Sequence, residues 1–375
     1  MSYIKKGNEY LRQGKLDEAI EAYQISIQLN PNFHWAYYKL GEALKRKGKI
    51  QEAEEVDRKA NTLQNKLENN QFHNQINLRK TYEQQIQEIH QENISLKTEI
   101  DELKGILSQI VNTSLSQLSA YFDISSRQGR ALSNKMLVDF FLNTTKLLKP
   151  NYFFEIGSRD GSTSIAVKKG LPTVKCCAFE ANINNYESFK ERKEFNELSI
   201  DYKYLAISNH NGFADFHIPT ELNGHKLDKN IGNASLMIST HPTCKYQVTR
   251  VECTKLDDFC LNNRINIDKD QNLALWIDVE GAALQVLEGA NKCLTQTSII
   301  LVEVEEYPHW TGAALADEIT SKLISNNFIP VARDFEYSMQ YNLIFIHSNY
   351  LNKCKGLVYN FFSNIGNRNY IGGRK

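Results

Sequence analysis

Residues 153–164, FFEIGSRDGSTS, decide the fold when they are read together with residues 178–182, AFEAN. An apolar segment leads into Gly157, Gly161 follows four residues later, and a helical segment comes next. A second apolar segment ends in Glu180. Glycines let a ligand approach the backbone, a helix N-terminus offers free N–H groups, and an acidic side chain after the next strand can accept hydrogen bonds from two ribose hydroxyls. The two stretches therefore predict an α/β domain that binds an adenosine-bearing cofactor.

The spacing of the glycines selects among adenosine cofactors. The run lacks the G-x-G-x-x-G pattern that binds a pyrophosphate, which opposes an NAD-linked oxidoreductase. Its E-x-G-x-x-x-G form resembles the first motif of class I S-adenosylmethionine-dependent methyltransferases. The resemblance implies that the loop at Gly157, Ser158 and Gly161 holds the amino-acid end of S-adenosylmethionine. It also implies that Glu155 reaches the ammonium group of the cofactor directly or through water, and that Glu180 binds the ribose. A strand-to-helix turn without a ligand is the alternative.

Composition and charge narrow the class of protein. The 375 residues predict two or three domains, and 44 Lys and Arg balance 44 Asp and Glu, which gives no reason to expect a nucleic-acid partner. The first residues, MSYIKKGNEY, lack the apolar core of a signal peptide, and no apolar run reaches 18 residues. Neither a secretion signal nor a membrane span is therefore predicted. The 7 cysteines lack metal-ligand spacing, which favours a reduced, cytoplasmic chain.

The N-terminal region contains an internal repeat, because three small residues recur after 34 residues. They are Gly7, Gly14 and Ala19 in the first copy, and Gly41, Gly48 and Ala53 in the second. The period and the small residues resemble the tetratricopeptide repeat, in which paired helices approach closely. Asp57 departs from that pattern, because a bulky residue is usual at its position. We predict a tetratricopeptide-repeat-like helical domain over residues 1–70 that binds a protein partner, with an ordinary helical hairpin as the alternative.

A heptad pattern follows the repeat. Its positions are spaced alternately by four and three residues, and one of them is the polar Asn93. The positions are Tyr82, Ile86, Ile89, Asn93, Leu96, Ile100, Leu103, Leu107 and Ile110. Ile86 and Ile100 at position a, Leu96 and Leu103 at position d and the single Asn93 at position a are typical of a parallel dimer. We predict a coiled coil over residues 71–115, a homodimer through residues 82–110 and a helical linker over residues 116–149, with a lone amphipathic helix as the alternative to the coiled coil.

Beyond Pro150, short apolar segments alternate with amphipathic ones. Seven strands are predicted, at Tyr152–Ile156, Val174–Phe179, Asp201–Leu205, Leu273–Val279, Ser298–Val304, Phe328–Ala332 and Asn342–Ile346. Apolar strands between helical segments predict a parallel sheet covered on both faces, and the last two strands predict an antiparallel hairpin. The expected fold class is a Rossmann-like α/β methyltransferase domain over residues 150–350, preceded by the all-α repeat array and the coiled coil. Residues 351–375 form a basic and aromatic extension.

The segment most specific for a family is residues 275–290, LWIDVEGAALQVLEGA. It resembles the signature of the FkbM methyltransferases, I-D-V-E-G-x-E-x-x-x-L-x-G-A. Other segments fit that family in chain order, and the resemblance covers residues 150–347. They are FFEIGSRDGSTS, AFEAN, LAISNHNGFADFHI, GNASL, VECTKLDDF and ILVEVE. Ala283 departs from the signature, because it replaces the second glutamate. If that glutamate contacts the substrate or the cofactor, this protein differs in substrate or loses activity.

The same segment supplies the candidates for a general base, which a hydroxyl acceptor needs because it is a poor nucleophile. Asp278 and Glu280 end an apolar strand, and Asp278 is also a candidate cofactor ligand. Side-chain alternation in a regular strand would place the two on opposite faces, so that one of them meets the substrate. His241 and His309 are further candidates, because histidine titrates near neutral pH. His241 is favoured since it follows the GNASL segment; a surface position is the alternative for both.

Metal binding is a further alternative. Asp278, Glu280 and Glu303 offer the hard oxygen ligands that magnesium accepts. Carboxylates at strand ends also serve as helix caps and ribose ligands, so we predict no metal site and keep a divalent metal as the alternative.

These observations predict an S-adenosylmethionine-dependent O-methyltransferase that acts on a hydroxyl of a sugar, a glycan or a related small molecule. The hydroxyl acceptor follows from the family resemblance. An alternative from another class is an inactive methyltransferase-fold scaffold that acts through its repeats and coiled coil, which Ala283 makes conceivable. A nucleic-acid methyltransferase is opposed by the balanced charge and by the missing N/D-P-P-Y/F motif.

Overall fold

The computed structural model describes residues 2–228, 232–265, 267 and 271–367. Side chains at positions 2, 70, 71, 74–78, 81 and 100–112 lie outside the described residues. The chain divides into two compact units, Met1–Thr98 and Glu99–Lys375, and each has its own core.

The chain forms thirteen α-helices and eleven β-strands within the described residues. The helices are α1 (Ser2–Arg12), α2 (Leu16–Leu29), α3 (His34–Arg46), α4 (Ile50–Ser116), α5 (Arg127–Leu148), α6 (Ser162–Gly170), α7 (Ile183–Phe189), α8 (Lys193–Glu197), α9 (Leu256–Asn262), α10 (Ala283–Glu288), α11 (Asn291–Thr295), α12 (Ala316–Ser325) and α13 (Ser348–Gly366). The strands are β1 (Tyr152–Ile156), β2 (Lys175–Glu180), β3 (Ile200–Tyr204), β4 (Ala206–Ile207), β5 (Gly212–Leu222), β6 (His225–Lys226), β7 (Lys245–Thr254), β8 (Leu273–Ile277), β9 (Thr297–Glu305), β10 (Phe328–Arg333) and β11 (Gln340–His347).

The N-terminal unit packs its helices through the small residues of the repeat. A Cβ atom at Gly7 would lie 2.5 Å from the ring of Tyr23, which is fully buried and donates a hydrogen bond to Asn8 Oδ1 over 2.8 Å. The second copy places Gly41 against Asp57 in the same way. Asp57, the departure from the repeat pattern, forms an ion pair with Lys45 at 2.6 Å. Gly7 and Gly41 are therefore positions of close helix approach, as the repeat predicts, whereas Gly14 and Gly48 have positive φ values in turns between helices.

The predicted stalk lies within α4, a single helix that continues the second repeat copy. Its heptad side chains at Tyr82, Ile86, Ile89 and Leu96 are between 49% and 66% exposed. The remaining apolar heptad positions, Ile100, Leu103, Leu107 and Ile110, have side chains outside the described residues. An apolar stripe on one helix face agrees with the heptad interpretation, and dimerisation stays a prediction.

The segment predicted to be a linker, residues 116–149, is instead part of the second unit. A 3₁₀ turn, Gln117–Tyr121, leads to α5, whose Leu137, Phe140 and Phe141 are buried against the main sheet. A linker would expose both faces, whereas α5 has an apolar face that the sheet covers. Its start is fixed by Ser126, whose hydroxyl accepts a hydrogen bond from Gly129 N over 3.1 Å.

The main sheet has the order β10-β11-β9-β8-β1-β2-β3. All neighbours pair in parallel except β11, which is antiparallel to both β10 and β9. The predicted seven-stranded sheet with a terminal antiparallel hairpin is therefore confirmed. Both faces carry a hydrophobic core, which explains the continuous apolar runs in β1, β8 and β9. The parallel strands β9, β8, β1, β2 and β3 bring their carboxyl ends to one edge of the sheet.

A second sheet, which the sequence analysis did not predict, has the order β4-β7-β5-β6. Phe216 and Ile218 alternate with polar residues in β5 and pack on Ala206 and Val251. The segment GFADFHI already shows this alternation of apolar and polar residues in the sequence. This small sheet lies over the same edge as the carboxyl ends of the main sheet, since Ala206, Ile207 and Phe216 line the cavity described below.

None of the helices within the described residues combines the length and the apolar character needed to cross a membrane.

Candidate functional site

A cavity of about 510 Å³ opens at the carboxyl ends of the parallel strands. Gly157 follows β1, Glu180 ends β2, Asp278 follows β8 and Glu303 lies near the end of β9, and all four line the cavity. Ligands of open α/β sheets bind at this edge, because the loops that leave the strands diverge there. Asn342 of β11 extends the cavity beyond the parallel strands. We call the part at β1 and β2 the cofactor end, and the part at β8, β9 and β11 the acceptor end.

The loop after β1 is built so that only glycine fits. Gly157 has a φ of +81°, and a Cβ atom there would overlap the carbonyl oxygen of Asp278. The backbone N–H groups of Gly157 and Ser158 both donate to Phe179 O, over 3.0 and 2.9 Å. Gly161 has a φ of +67° and precedes α6, and its missing Cβ makes room for the ring of Phe195. The loop thus passes between β2 and β8 with its backbone towards the cavity.

Glu155 has a different role from the one predicted. Its Oε2 accepts a hydrogen bond from Ser164 N over 2.7 Å, so this carboxylate holds the first turn of α6. Glu155 is buried and does not line the cavity, and burial raises its pKa to about 7. Ser158 is also buried outside the cavity lining. Glu155 therefore does not make the predicted direct contact with the cofactor. It supports the loop from its buried side instead.

Glu180 lies at the cavity surface as predicted, although its carboxylate is mostly buried. Its Oε2 accepts from Arg159 N and its Oε1 from Asn182 N, each over 2.6 Å. Burial raises the pKa of Glu180 to about 7, against the effect of these two hydrogen bonds. The Asn185 side chain and the Ala181 backbone also form hydrogen bonds that lower its pKa, so four groups of the protein hold this carboxylate. These contacts fix the orientation of the carboxylate at the cavity surface, where a ribose would bind.

Asn182 is a cavity residue that the sequence analysis missed. Its Oδ1 accepts from Asn184 N over 3.0 Å and caps α7, which leaves the amide Nδ2 as a donor. Asn182 is 0% exposed, lines the cavity, and its Nδ2 has no hydrogen-bond partner. Buried donors are rarely left unpaired in folded proteins, so this one indicates a ligand acceptor atom nearby. Its position two residues after Glu180 in AFEAN was the available signal.

The acceptor end contains three carboxylates that approach one another closely. Asp278, Glu280 and Glu303 each have one carboxylate oxygen within 4.8 Å of the others. The expectation that Asp278 and Glu280 lie on opposite faces is wrong, because β8 ends at Ile277 and the chain then turns. Glu280 has a φ of +50° and Gly281 a φ of +84°, and this left-handed turn brings the second carboxylate back beside the first.

Crowding and burial shift the protonation of this carboxylate group. Burial raises the pKa of Asp278, and burial together with the charge of Asp278 raises the pKa of Glu280. Burial, followed by the charges of the other two, holds the pKa of Glu303 well above its ordinary value. Carboxyls with raised pKa values can take up a proton near neutral pH, which is what a general base needs. Their oxygens are also suitable ligands for a divalent cation.

Neither candidate histidine reaches the cavity. His241 is exposed, and its Nδ1 lies 3.1 Å from the hydroxyl of Thr243. His309 is exposed as well, and its carbonyl accepts a hydrogen bond from Thr240 N over 2.8 Å. His241 is therefore not a catalytic residue in this geometry. The neighbouring GNASL segment does line the cavity, through Gly232, Asn233, Ala234 and Leu236.

Several lining residues come from segments to which the sequence gave no role. Asn134 and Val138 of α5, and Glu336, Tyr337 and Gln340 of the β10–β11 hairpin, complete the acceptor end. Gln340 Nε2 donates to Glu280 Oε2 over 3.2 Å and so orients one of the three carboxylates. These residues lie far apart in the chain, and no local motif marks them.

The comparison with protein families identifies the catalytic unit. The sequence model of the methyltransferase FkbM domain matches residues 155–336. The chain contains an FkbM methyltransferase domain. Two models of the tetratricopeptide repeat match residues 7–48 and 36–67, so the unit that precedes the FkbM domain carries these repeats, as predicted.

Individual relatives are distant from this chain. The curated 2-O-methyltransferase NoeI of Sinorhizobium fredii (strain NBRC 101917 / NGR234) is 28% identical over 177 residues, which is 44% of this chain and 68% of NoeI. A precorrin-6y C5,15-methyltransferase structure from Geobacter metallireducens GS-15 is 12% identical, with a TM-score of 0.29, and the match covers 59% of this chain and 88% of that one. The structure of human N-acetylserotonin methyltransferase with S-adenosylmethionine is 10% identical, with a TM-score of 0.26 and coverages of 59% and 56%.

Proposed function

We propose that the FkbM domain of this chain is an S-adenosylmethionine-dependent O-methyltransferase that acts on a hydroxyl of a sugar or glycan. The single observation that carries the proposal is one cavity with two dissimilar ends. Gly157, Glu180 and Asn182 surround one end, and the carboxylates of Asp278 and Glu280 surround the other. A cofactor and a hydroxyl acceptor require different chemistry within reach of one another, and this cavity offers both.

The cofactor end fits S-adenosylmethionine on three counts. Gly157 allows an approach to the backbone that any side chain would block, Glu180 presents an acidic group at the cavity surface, and the amide of Asn182 lacks an acceptor. When bound, the cofactor supplies a methyl group on a positively charged sulfur. Within the described residues, five carboxylates line the cavity, and Arg159 is the one Lys or Arg among the lining residues. The negative electrostatic potential of the carboxylates favours a cationic cofactor.

The carboxylate group at the acceptor end supplies the base. A hydroxyl transfers its proton to a carboxylate oxygen as its own oxygen gains the methyl group, and the electron pair of the broken bond stays on sulfur. Asp278 and Glu280 are the candidates, and Glu303 beside them disfavours full ionisation of the group and so favours proton uptake. General-base assistance of this kind contributes about 10²- to 10⁴-fold to a rate.

Two further observations support an oxygen acceptor of the sugar type. The curated relative NoeI is a 2-O-methyltransferase, which supports transfer to oxygen. The acceptor end combines the rings of Trp276 and Tyr337 with carboxylates and amides. Rings offer an apolar face to the C–H side of a sugar, while the polar groups accept from its hydroxyls.

The inactive-scaffold alternative loses its main support in this geometry. Ala283, the departure from the family signature, is buried in the core next to α10 and does not line the cavity. Its neighbour Ala282 does line the cavity. The substitution therefore leaves the cofactor loop and the carboxylate group untouched.

The test is calorimetric binding of S-adenosylhomocysteine to the intact chain and to two variants, Gly157→Val and Glu180→Ala. We expect micromolar binding that both variants lose, because the first fills the loop and the second removes the ribose ligand. Gly170→Ala is the matched glycine control, since a Cβ atom there meets nothing within 4 Å. Circular dichroism establishes that the variants are folded. No binding by the intact chain would refute the proposal and favour the scaffold.

We also propose that the chain is a homodimer through residues 82–110 and that its repeats bind a protein partner. The exposed stripe at Ile86, Ile89 and Leu96 supports dimerisation, because an apolar heptad face is stabilised by a second copy. Sedimentation velocity should give a dimer at about 10 μM and a monomer for Ile86→Lys, while Glu88→Lys on the polar face should stay dimeric. A monomeric intact chain would contradict the dimer.

A further inference from the structure

Two buried oxygen atoms at the acceptor end have no hydrogen-bond donor. They are Glu303 Oε2 and Asn342 Oδ1, and both residues line the cavity. Glu303 of β9 and Asn342 of β11 are directly opposite one another in the antiparallel pair, so both side chains lie on the same face of the sheet. A buried acceptor without a donor destabilises the folded state, and native proteins usually satisfy such atoms.

The orientation of the Asn342 amide follows from its neighbour. Asn342 Nδ2 donates to Asp334 Oδ2 over 2.9 Å, and Asn342 N donates to Asp334 Oδ1 over 3.0 Å. Asp334 is fully buried and, as a carboxylate, can only accept hydrogen bonds. The amide NH₂ must therefore face Asp334, and Asn342 Oδ1 is left as an acceptor. Both atoms thus require donors, and a hydroxyl group is a donor that a ligand can bring.

The charges around these two atoms exclude anionic ligands. Four carboxylates line this end, at Asp278, Glu280, Glu303 and Glu336. Within the described lining, Arg159 is the one Lys or Arg. Asn134 donates to Glu336 and to Asp334, which satisfies both acids without adding positive charge. A phosphate or a second carboxylate would lie among like charges and would offer neither buried oxygen a donor.

An apolar wall faces the same space. Trp276 lines the cavity and is held edge-on against Phe141, with ring centroids 5.4 Å apart and an interplanar angle of 83°. Tyr337 lines it from the hairpin and has an exposed ring. Rigid rings beside hydrogen-bond acceptors suit a cyclic ligand that has an apolar face and a hydroxylated edge.

We propose that the acceptor is an uncharged glycosyl unit with at least two neighbouring hydroxyls. One hydroxyl is methylated at the carboxylates of Asp278 and Glu280, and its neighbour donates to Glu303 and Asn342. Sugar phosphates, sugar nucleotides and uronic acids are excluded. The inference rests on the proposed function and narrows its substrate class. Glu303 and Asn342 are then the residues that set specificity.

The test uses matched acceptors that share a ring. Methyl glycosides of hexoses and 6-deoxyhexoses are compared with the corresponding sugar 1-phosphates and nucleoside diphosphate sugars, with transfer of a deuterated methyl group followed by mass spectrometry. We expect methylation within the uncharged set, with kcat/KM at least about 100-fold above that of the matched phosphate. Equal or better use of any charged acceptor would overturn the inference, and so would the absence of every product from a chain that binds S-adenosylhomocysteine. Failure to bind S-adenosylhomocysteine would instead refute the proposed function itself.

A variant separates recognition from structure. Glu303→Gln keeps the shape of the side chain but changes the acceptor and its charge. We expect kcat/KM for the uncharged glycoside to fall by about 10- to 100-fold, the preference over the phosphate to shrink, and the affinity for S-adenosylhomocysteine to stay within about threefold. Glu318→Gln, an exposed acid on α12, is the charge-matched control. An unchanged preference between glycoside and phosphate in Glu303→Gln would contradict the role of Glu303.

Discussion

The two ends of the cavity hold their buried carboxylates in opposite ways. Near the cofactor end, Glu155 accepts a backbone N–H from Ser164, and Glu180 accepts two more, from Arg159 and Asn182. At the acceptor end, three carboxylates approach within 4.8 Å, and an oxygen of Glu303 has no donor. The protein therefore satisfies the carboxylates of the cofactor end with its own backbone and leaves the Asn182 amide for a ligand, whereas the acceptor end keeps a carboxylate that a ligand can complete.

This difference places positioned binding groups at the cofactor end and crowded, destabilising carboxylates at the acceptor end. Groups already bonded to backbone are positioned before the cofactor arrives, which lowers the entropic cost of binding. Crowded carboxylates raise the energy of the empty acceptor end but give it proton affinity near neutral pH.

The largest effect is expected from Asp278→Asn. Replacing the carboxylate by an amide keeps the shape but removes a proton acceptor, so kcat for methyl transfer should fall by about 10²- to 10⁴-fold. Binding of S-adenosylhomocysteine should change by less than about threefold, because the ribose contacts lie at the other end. Asp139→Asn, an exposed position on α5, is the control. A variant that keeps more than a third of the activity would remove Asp278 from the list of bases.

The same division explains what the sequence could and could not predict. The cofactor end is built from contiguous stretches, so the glycines and Glu180 were recognisable by spacing. The main sheet was predictable for a similar reason, since buried parallel strands are continuous apolar runs. The acceptor end joins Asn134, Glu303 and Asn342, which are distant in the chain. The sheet register places Asn342 opposite Glu303, and the packing of α5 adds Asn134.

Three local errors have physical causes. Strand alternation placed Asp278 and Glu280 on opposite faces, but the left-handed turn at Glu280 ends the strand earlier than its apolar pattern suggests. His241 was favoured because it follows the GNASL segment, but a position next to a cavity-lining segment does not determine whether a side chain reaches the cavity. Asn182 was missed because a helix cap and a ligand contact look alike in sequence.

The pH dependence should be opposite for activity and for stability. Activity should rise with pH through a value above the ordinary carboxyl range, because the base must be ionised and its pKa is raised by burial. Glu155 and Glu180 have pKa values raised from 4.5 to about 7 by burial, so their stabilising contribution is present below 4.5 and is lost as pH rises through 7. Each contributes on the order of 3 kcal/mol.

Urea unfolding of the chain at pH 5 and pH 9, with initial rates across the same range, measures both effects. Glu155→Gln should flatten the pH dependence of the free energy of unfolding without changing the pH profile of the rate. A stability that increases from pH 5 to pH 9 would show that these carboxyls are not raised.

A smaller effect is expected at Asn182. Asn182→Asp keeps the oxygen that caps α7 but removes the NH₂ donor, and Asn182→Ala removes both. We expect both variants to bind S-adenosylhomocysteine about tenfold more weakly, through loss of one hydrogen bond. Only Asn182→Ala should also lose about 1 kcal/mol of stability, through loss of the cap. Wild-type affinity in Asn182→Asp would mean that the free amide faces no ligand atom.

The smallest effect concerns the unsatisfied acceptor end itself. Without ligand, Glu303→Gln should raise the melting temperature by about 2 °C, because an amide carries no charge to repel Asp278 and Glu280. The gain should be larger at pH 9 than at pH 6, since a raised pKa makes the neutral form of Glu303 more populated at the lower pH. Differential scanning calorimetry of both proteins at the two pH values measures the difference. If Glu303→Gln melts lower than the intact chain at both pH values, Glu303 stabilises the fold, and the contrast between the two ends of the cavity does not hold.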